Sequence, residues 1–190
     1  MILYVNQGNG VVNSSNFGKL LSTAHSRGFN TIFFQVYRSG VLLFSDSSLQ
    51  GFVSSAHGSG LKIYFALYFT DSSQQIPASI YNDGEDGINL DMSALPAAAQ
   101  AALLASLSGG YSGRTAVTAT DFNTALRPET LILETYGTGA NQYIHPGIVA
   151  SVGVFTTTSQ QQYNQEFQFA LNNSDGVMVF DYSGLLKAGY

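Results

Sequence analysis

Short apolar runs rich in β-branched and aromatic residues recur along the chain, separated by stretches whose apolar positions repeat at helical spacing. Runs of that length and composition read as strands. They fall at Ile2–Asn6, Thr31–Tyr37, Lys62–Thr70, Gly87–Asp91, Thr115–Thr120, Leu131–Thr135, Ile148–Phe155 and Gly176–Tyr182. Between the first two, Asn16 is placed to cap a helix in which Leu20, Leu21 and Ala24 share a face and which stops at Arg27-Gly28. Leu49–His57 reads as a second helix. Ser93 can cap Ala94–Leu107, with Pro96 in the first turn and Gly109-Gly110 as the stop. Tyr163, Phe167, Ala170 and Leu171 predict a helix over Ser159–Leu171. The segments Asn123–Leu126 and Asn141–Ile144 leave room for a turn or two.

Eight strands alternating with helices predict parallel β/α units. The expected fold is a single domain over residues 1–190, a compact (β/α)8 TIM barrel with some shortened helices. A doubly wound open sheet is the alternative. Gln7-Gly8-Asn9-Gly10, after the first strand, lacks the G-x-G-x-x-G spacing that such a sheet uses for dinucleotides.

Composition narrows the function. Hydrophobic residues make up 45% and aromatics 13%, which excludes disorder, while charged residues reach 10% against about 25% in ordinary domains. The net charge is −5, and the seven basic residues form no cluster, so a nucleic-acid partner is not expected. No apolar run approaches the ~18 residues of a membrane span. Met1 leads directly into Ile2-Leu3-Tyr4-Val5, so no signal peptide is expected. Without cysteine there is no disulfide and no thiol chemistry. The uncharged surface and the triplets Asn13-Ser14-Ser15 and Asn172-Asn173-Ser174 lean toward an extracellular setting.

In a barrel the site is assembled where strands end and the following loops begin. Those ends carry Gln35, Tyr37 and Arg38, then Tyr68, Asn89 and Asp91, then Glu134 and Tyr136, and finally Asp181 and Tyr182. Carboxylates, tyrosines and amides without paired histidines suit an oligo- or polysaccharide better than a metal or cofactor, and neither of the latter is expected. Glycoside hydrolysis requires two carboxyl groups flanking the scissile bond. Asp91 on the fourth strand and Glu134 on the sixth are the expected catalytic pair. Burial beside Leu133 and Tyr136 suits Glu134 to general acid work, leaving a more solvated Asp91 as nucleophile or base. A structural ion pair of Glu134 with Arg127 or Arg38 is the competing reading. For Asp181, alternation leaves open whether Val179 and Asp181 or Phe180 and Tyr182 face inward, and a loop-capping role competes with a site role. The acidic stretch Asn82–Asp86 reads as a solvated turn rather than a calcium loop.

Three stretches carry a family resemblance. Gly28-Phe29-Asn30-Thr31-Ile32-Phe33-Phe34-Gln35-Val36-Tyr37-Arg38-Ser39-Gly40, then Phe52–His57 with Gly60-Leu61-Lys62-Ile63-Tyr64, then Asp86-Gly87-Ile88-Asn89-Leu90-Asp91 together resemble the glycoside-hydrolase-like TIM barrels of the family-10-like group. The last stretch also resembles the signature strand of family 18 chitinases. Ser93 stands where those chitinases place their acid, and Asn89 where they place the middle aspartate, so their substrate-assisted mechanism is not implied. A fourth-strand aspartate acting with a sixth-strand carboxylate resembles α-glycosidase and polygalactosaminidase-like barrels instead. The implied activity is cleavage of a glycosidic bond; the alternative is a barrel that kept saccharide binding and lost catalysis.

Overall fold

The computed structural model describes residues 1–7, 12–107, 111, 113–120, 130–134, 140–155 and 158–189. Eight parallel strands close into a barrel: β1 (Ile2–Val5), β2 (Thr31–Arg38), β3 (Lys62–Tyr68), β4 (Gly87–Asp91), β5 (Arg114–Ala119), β6 (Thr130–Glu134), β7 (Val149–Gly153) and β8 (Gly176–Phe180). Closure comes from β1, which pairs with β2 on one side and β8 on the other. Val41–Leu42 folds back antiparallel on β2 as a two-residue extension. Five α-helices lie among the described residues: α1 (Phe17–Ser26), α2 (Asp46–Gly58), α3 (Ala97–Leu107), α4 (Gln160–Asn173) and α5 (Tyr182–Ala188). The compact (β/α)8 expectation holds.

Alternation along the strands sorts the core into two layers. Leu3, Val5, Ile32, Phe34, Ile63, Phe65, Ile88, Leu90, Val117, Val152 and Val179 face the helices in the large outer cluster. Inside the barrel pack Tyr4, Phe33, Ala66, Ala116, Ile132 and Met178, flanked by Ile2, Tyr64, Val149 and Phe180. The Phe33 and Tyr64 rings stack with centroids 5.0 Å apart. Gly87 makes room for them, since a Cβ there would lie 2.5 Å from the Tyr64 ring and 2.6 Å from the Arg114 carbonyl.

Element boundaries differ from expectation where local chemistry decides. Asn13, not Asn16, caps the entry to the first helical segment: its side chain accepts the Ser15 N–H, and the Asn16 side chain accepts the Asn13 N–H in return. The α3 helix begins at Ala97, beyond Pro96, so Ser93 is not its cap. The segment Asp181–Tyr182, read as the end of the last strand, instead opens α5. Of the two thin segments, 123–126 lies outside the described residues, and Ala140–Tyr143 forms a single 3-10 turn.

The acidic stretch is not a solvated turn. Asp83 is 6% exposed and accepts a 3.0 Å hydrogen bond from Gln50 Nε2 on α2. Asp86 accepts the Ile63 N–H at 2.8 Å and pairs with His57 Nε2 at 2.9 Å. These carboxylates pin the β3–β4 connection against α2. Burial pushes the Asp83 and Glu85 carboxyls above the ordinary carboxylate range.

Candidate functional site

Toward the C-terminal ends of the strands the inward row turns from apolar to polar. Beyond Tyr4 comes Asn6, beyond Phe33 Gln35, beyond Ala66 Tyr68, beyond Ala116 Thr118, beyond Ile132 Glu134 and beyond Val149 Ser151. On β4 the inward positions are Gly87, Asn89 and Asp91, and all five of its residues are buried.

Asp91 anchors this ring. It is 3% exposed. Its Oδ2 accepts a 2.9 Å hydrogen bond from the Tyr4 hydroxyl, which reaches across the barrel interior from β1. Its Oδ1 accepts the Ser93 hydroxyl at 2.7 Å and the Ser93 N–H at 3.3 Å. Asp91, Tyr68 and Arg38 are register partners on adjacent strands. The Arg38 guanidinium lies 5.3 Å above the centre of the Tyr68 ring and donates to Asn6 Oδ1 at 3.2 Å. Among the described residues no cation lies within ion-pair distance of Asp91. Burial pushes the Asp91 carboxyl up, against the pull of the Ser93 and Tyr4 hydroxyls and the more distant Arg38 charge.

The expectation that Asp91 is the more solvated carboxyl is therefore corrected. The strand continues past it: the Phe69 N–H donates to the Asp91 carbonyl and the Met92 N–H to Thr118, which keeps the strand end covered. The partners chosen for the carboxyl also matter. Hydroxyls donate to a carboxylate and accept from a carboxylic acid, so Tyr4 and Ser93 accommodate Asp91 in either protonation state.

Glu134 shares the inward face of Ile132 and is partly exposed at the end of β6. The register runs from Asp91 to Thr118 to Ile132. An eight-strand barrel of shear 8 climbs about one residue per strand relative to its hydrogen-bond register. Two strands on from Asp91, the residue at equal height is therefore Glu134 rather than Ile132.

The remaining predicted residues divide. Gln35 is buried and its Oε1 accepts the Gln7 N–H at 2.8 Å. Asn89 donates to Thr118 Oγ1 at 2.9 Å, and its Oδ1 finds no donor among the described residues. Gln35, Arg38, Tyr68, Asn89, Asp91 and Glu134 thus belong to the inner wall. Tyr37 does not join them. A register shift between Gln35 and Tyr37 turns it outward, where its ring packs 5.3 Å from Phe69 and its hydroxyl donates to the Gln75 carbonyl. Tyr182 is buried in the outer cluster. Asp181 caps α5, accepting the Gly184 N–H at 2.9 Å and the Ser183 hydroxyl at 2.8 Å. Tyr136 and Arg127 lie outside the described residues.

Two participants escaped the sequence reading. Tyr4 looked like one more apolar strand residue, although its alternation with Asn6 marks the inward face. Ser93, a candidate helix cap by position, bonds Asp91 instead, and the spacing Asp-x-Ser is the signal for a serine folding back onto the carboxylate.

No protein-family model matches the sequence, and no curated protein matches it. Solved structures do. A GH113 β-1,4-mannanase superposes with a TM-score of 0.60 over 95% of this chain and 86% of its own, at 10% identity. A noncanonic maltogenic α-amylase from Thermotoga neapolitana gives 0.59 over 98% of this chain and 68% of its own, at 12% identity. A GH18 chitinase from Flavobacterium johnsoniae gives 0.56 over 96% and 87%, at 11% identity. At these identities the likeness is one of fold: the chain shares the TIM-barrel architecture of these enzymes.

Proposed function

We propose that the protein is a glycoside hydrolase acting on an oligo- or polysaccharide, with Asp91 and Glu134 as its two carboxyl groups. The observation that carries this reading is the setting of Asp91: buried at the C-terminal end of a barrel strand, held by two hydroxyls, and out of ion-pair range of any described cation. A carboxyl so placed keeps its proton to a higher pH than usual, which is what a general acid needs.

Asp91 then protonates the departing glycosidic oxygen, and Glu134, the more exposed of the two, acts from the other side as nucleophile or as base for water. This reverses the roles expected from the sequence. Neighbouring strands lie about 4.8 Å apart, so two inward side chains two strands apart and level with each other converge on a carboxyl separation of roughly 5–9.5 Å, the range of retaining and inverting enzymes. Tyr68, with Arg38 over one face of its ring, offers the other face to a pyranose, while Gln35 and Asn89, buried below and bonded to Gln7 and Thr118, form the polar floor. Tyr136 joins this rim in the proposal.

The test is release of reducing ends from α-glucan, chitin and β-1,4-mannan, chosen because the structural neighbours are an α-amylase, a chitinase and a β-1,4-mannanase, at acidic and neutral pH. Hydrolysis of one of them, lost in Asp91→Asn and in Glu134→Gln with an unchanged circular dichroism spectrum, supports the reading. Undiminished hydrolysis in Asp91→Asn overturns it, as does saccharide binding with no turnover on any of the three.

A further inference from the structure

A separate cavity lies in the helical layer on the other side of the β1 and β8 strands from the barrel interior. The α4 helix runs through fourteen residues and α5 through seven; at 1.5 Å per residue α5 is only about 10 Å long. Beside the short helix a cavity of about 340 Å³ opens, walled by Phe29, Tyr163, Phe167 and Leu185, with Arg27 and Asn164 at its polar side. Tyr163 and Phe167, one turn apart on α4, pack their rings 5.7 Å from each other and give the groove an aromatic wall.

Arg27 is set there by the end of α1. Its N–H closes onto the Thr23 carbonyl at 3.2 Å, Gly28 turns the chain with φ of +76°, and Phe29 drops into the core with its N–H on Ala24. Arg27 is among the residues that line the groove. Its Nη1 is buried and finds no acceptor among the described residues. A buried guanidinium donor lacking an acceptor is costly, and the group it satisfies best is a carboxylate, which a guanidinium grips through two parallel hydrogen bonds. The other walls take hydrocarbon. The volume is at the small end of the range for small-molecule sites.

We propose that this groove binds a small carboxylate with an apolar body, its carboxylate on Arg27 and its hydrocarbon among Phe29, Phe167 and Leu185. The site is separate from the barrel mouth, so its occupancy is read by binding alone and does not depend on the hydrolase assignment. The probe is octanoate, with octan-1-ol as the uncharged control, titrated into the full chain by isothermal calorimetry at neutral pH. Saturable octanoate binding is expected, at least tenfold tighter than octan-1-ol. Arg27→Gln should weaken octanoate at least tenfold and leave octan-1-ol unchanged. Should Arg27→Gln fail to fold, Asn164→Trp keeps the arginine and fills the groove, and is expected to abolish octanoate binding. Equal affinity for the acid and the alcohol, undiminished octanoate binding in either folded variant, or no saturable binding by the wild-type chain at millimolar octanoate overturns the proposal.

Discussion

The same three-residue pattern closes two strands of this barrel to different ends. Asp91-Met92-Ser93 begins on the last residue of β4 and Asp181-Tyr182-Ser183 just after β8, and in both the serine hydroxyl bonds the aspartate two residues before it, at 2.7 and 2.8 Å. On β8 the last inward residue is Phe180, so Asp181 falls one position past the inward face and turns to the Gly184 N–H, starting a helix at once. On β4 the last inward residue is Asp91 itself, and its second oxygen meets Tyr4 across the barrel. The following helix starts only at Ala97. A shift of one residue against the strand alternation separates a helix cap from a candidate acid. Local pattern supplies the aspartate and its serine; parity decides what the carboxylate faces.

Substitutions at the two positions should therefore fail in different ways. The largest effect is expected from Asp91→Asn. Its amide can keep both hydroxyl contacts, so the melting temperature should stay within a few degrees. Hydrolysis should fall about 10²–10⁴-fold, the usual worth of a general acid. Next comes Tyr4→Phe, which removes one donor from the Asp91 carboxylate. Loss of that donor favours the protonated form, so the alkaline limb of the pH–rate profile should move to higher pH, with a rate change of about tenfold measured in the same assay. Asp181→Ala should show itself in stability instead, costing ~1 kcal/mol in a denaturant titration, as lost helix caps do. If Asp91→Asn lowers stability by as much while sparing the rate, the contrast between the two motifs collapses.

The smallest effect concerns the protons held by burial. Asp83, Glu85 and Asp91 all have carboxyls raised by desolvation. A raised carboxyl binds its proton more tightly in the folded chain. Its stabilising contribution is complete below the unfolded value near 4 and is lost as the pH climbs through the folded value. These groups should make the protein more stable at mildly acidic than at neutral pH. Asp83→Asn keeps the acceptor for Gln50 and should flatten that dependence, measured as melting temperature against pH. A steeper dependence in the variant would contradict the assignment.

Much of this was legible beforehand for a clear reason. Strands such as Thr31–Arg38 and Gly87–Asp91 are buried on both faces, so composition alone marks them, and eight of them alternating with helices leave few architectures. What the sequence withheld was orientation. One extra residue between Gln35 and Tyr37 sends Tyr37 to the outer layer, and nothing in Gln-Val-Tyr announces it. Burial of Asp83 and Asp91 depends on α2 and on Tyr4, partners 33 and 87 residues away. The inward setting of Asp91 could be read from Ile88 and Leu90. Its dryness could not, because that comes from the far wall.

The Tyr4–Asp91 bond has a further consequence for how this molecule could be watched. It joins the first strand to the fourth through the lumen, so the proton affinity of one carboxyl registers whether those two strands face each other across it. A carbonyl stretch of Asp91 at acidic pH, isolated by its absence in the asparagine variant, would serve as an internal gauge of that contact, blind to the helices outside and silent in any fragment short of the first four strands.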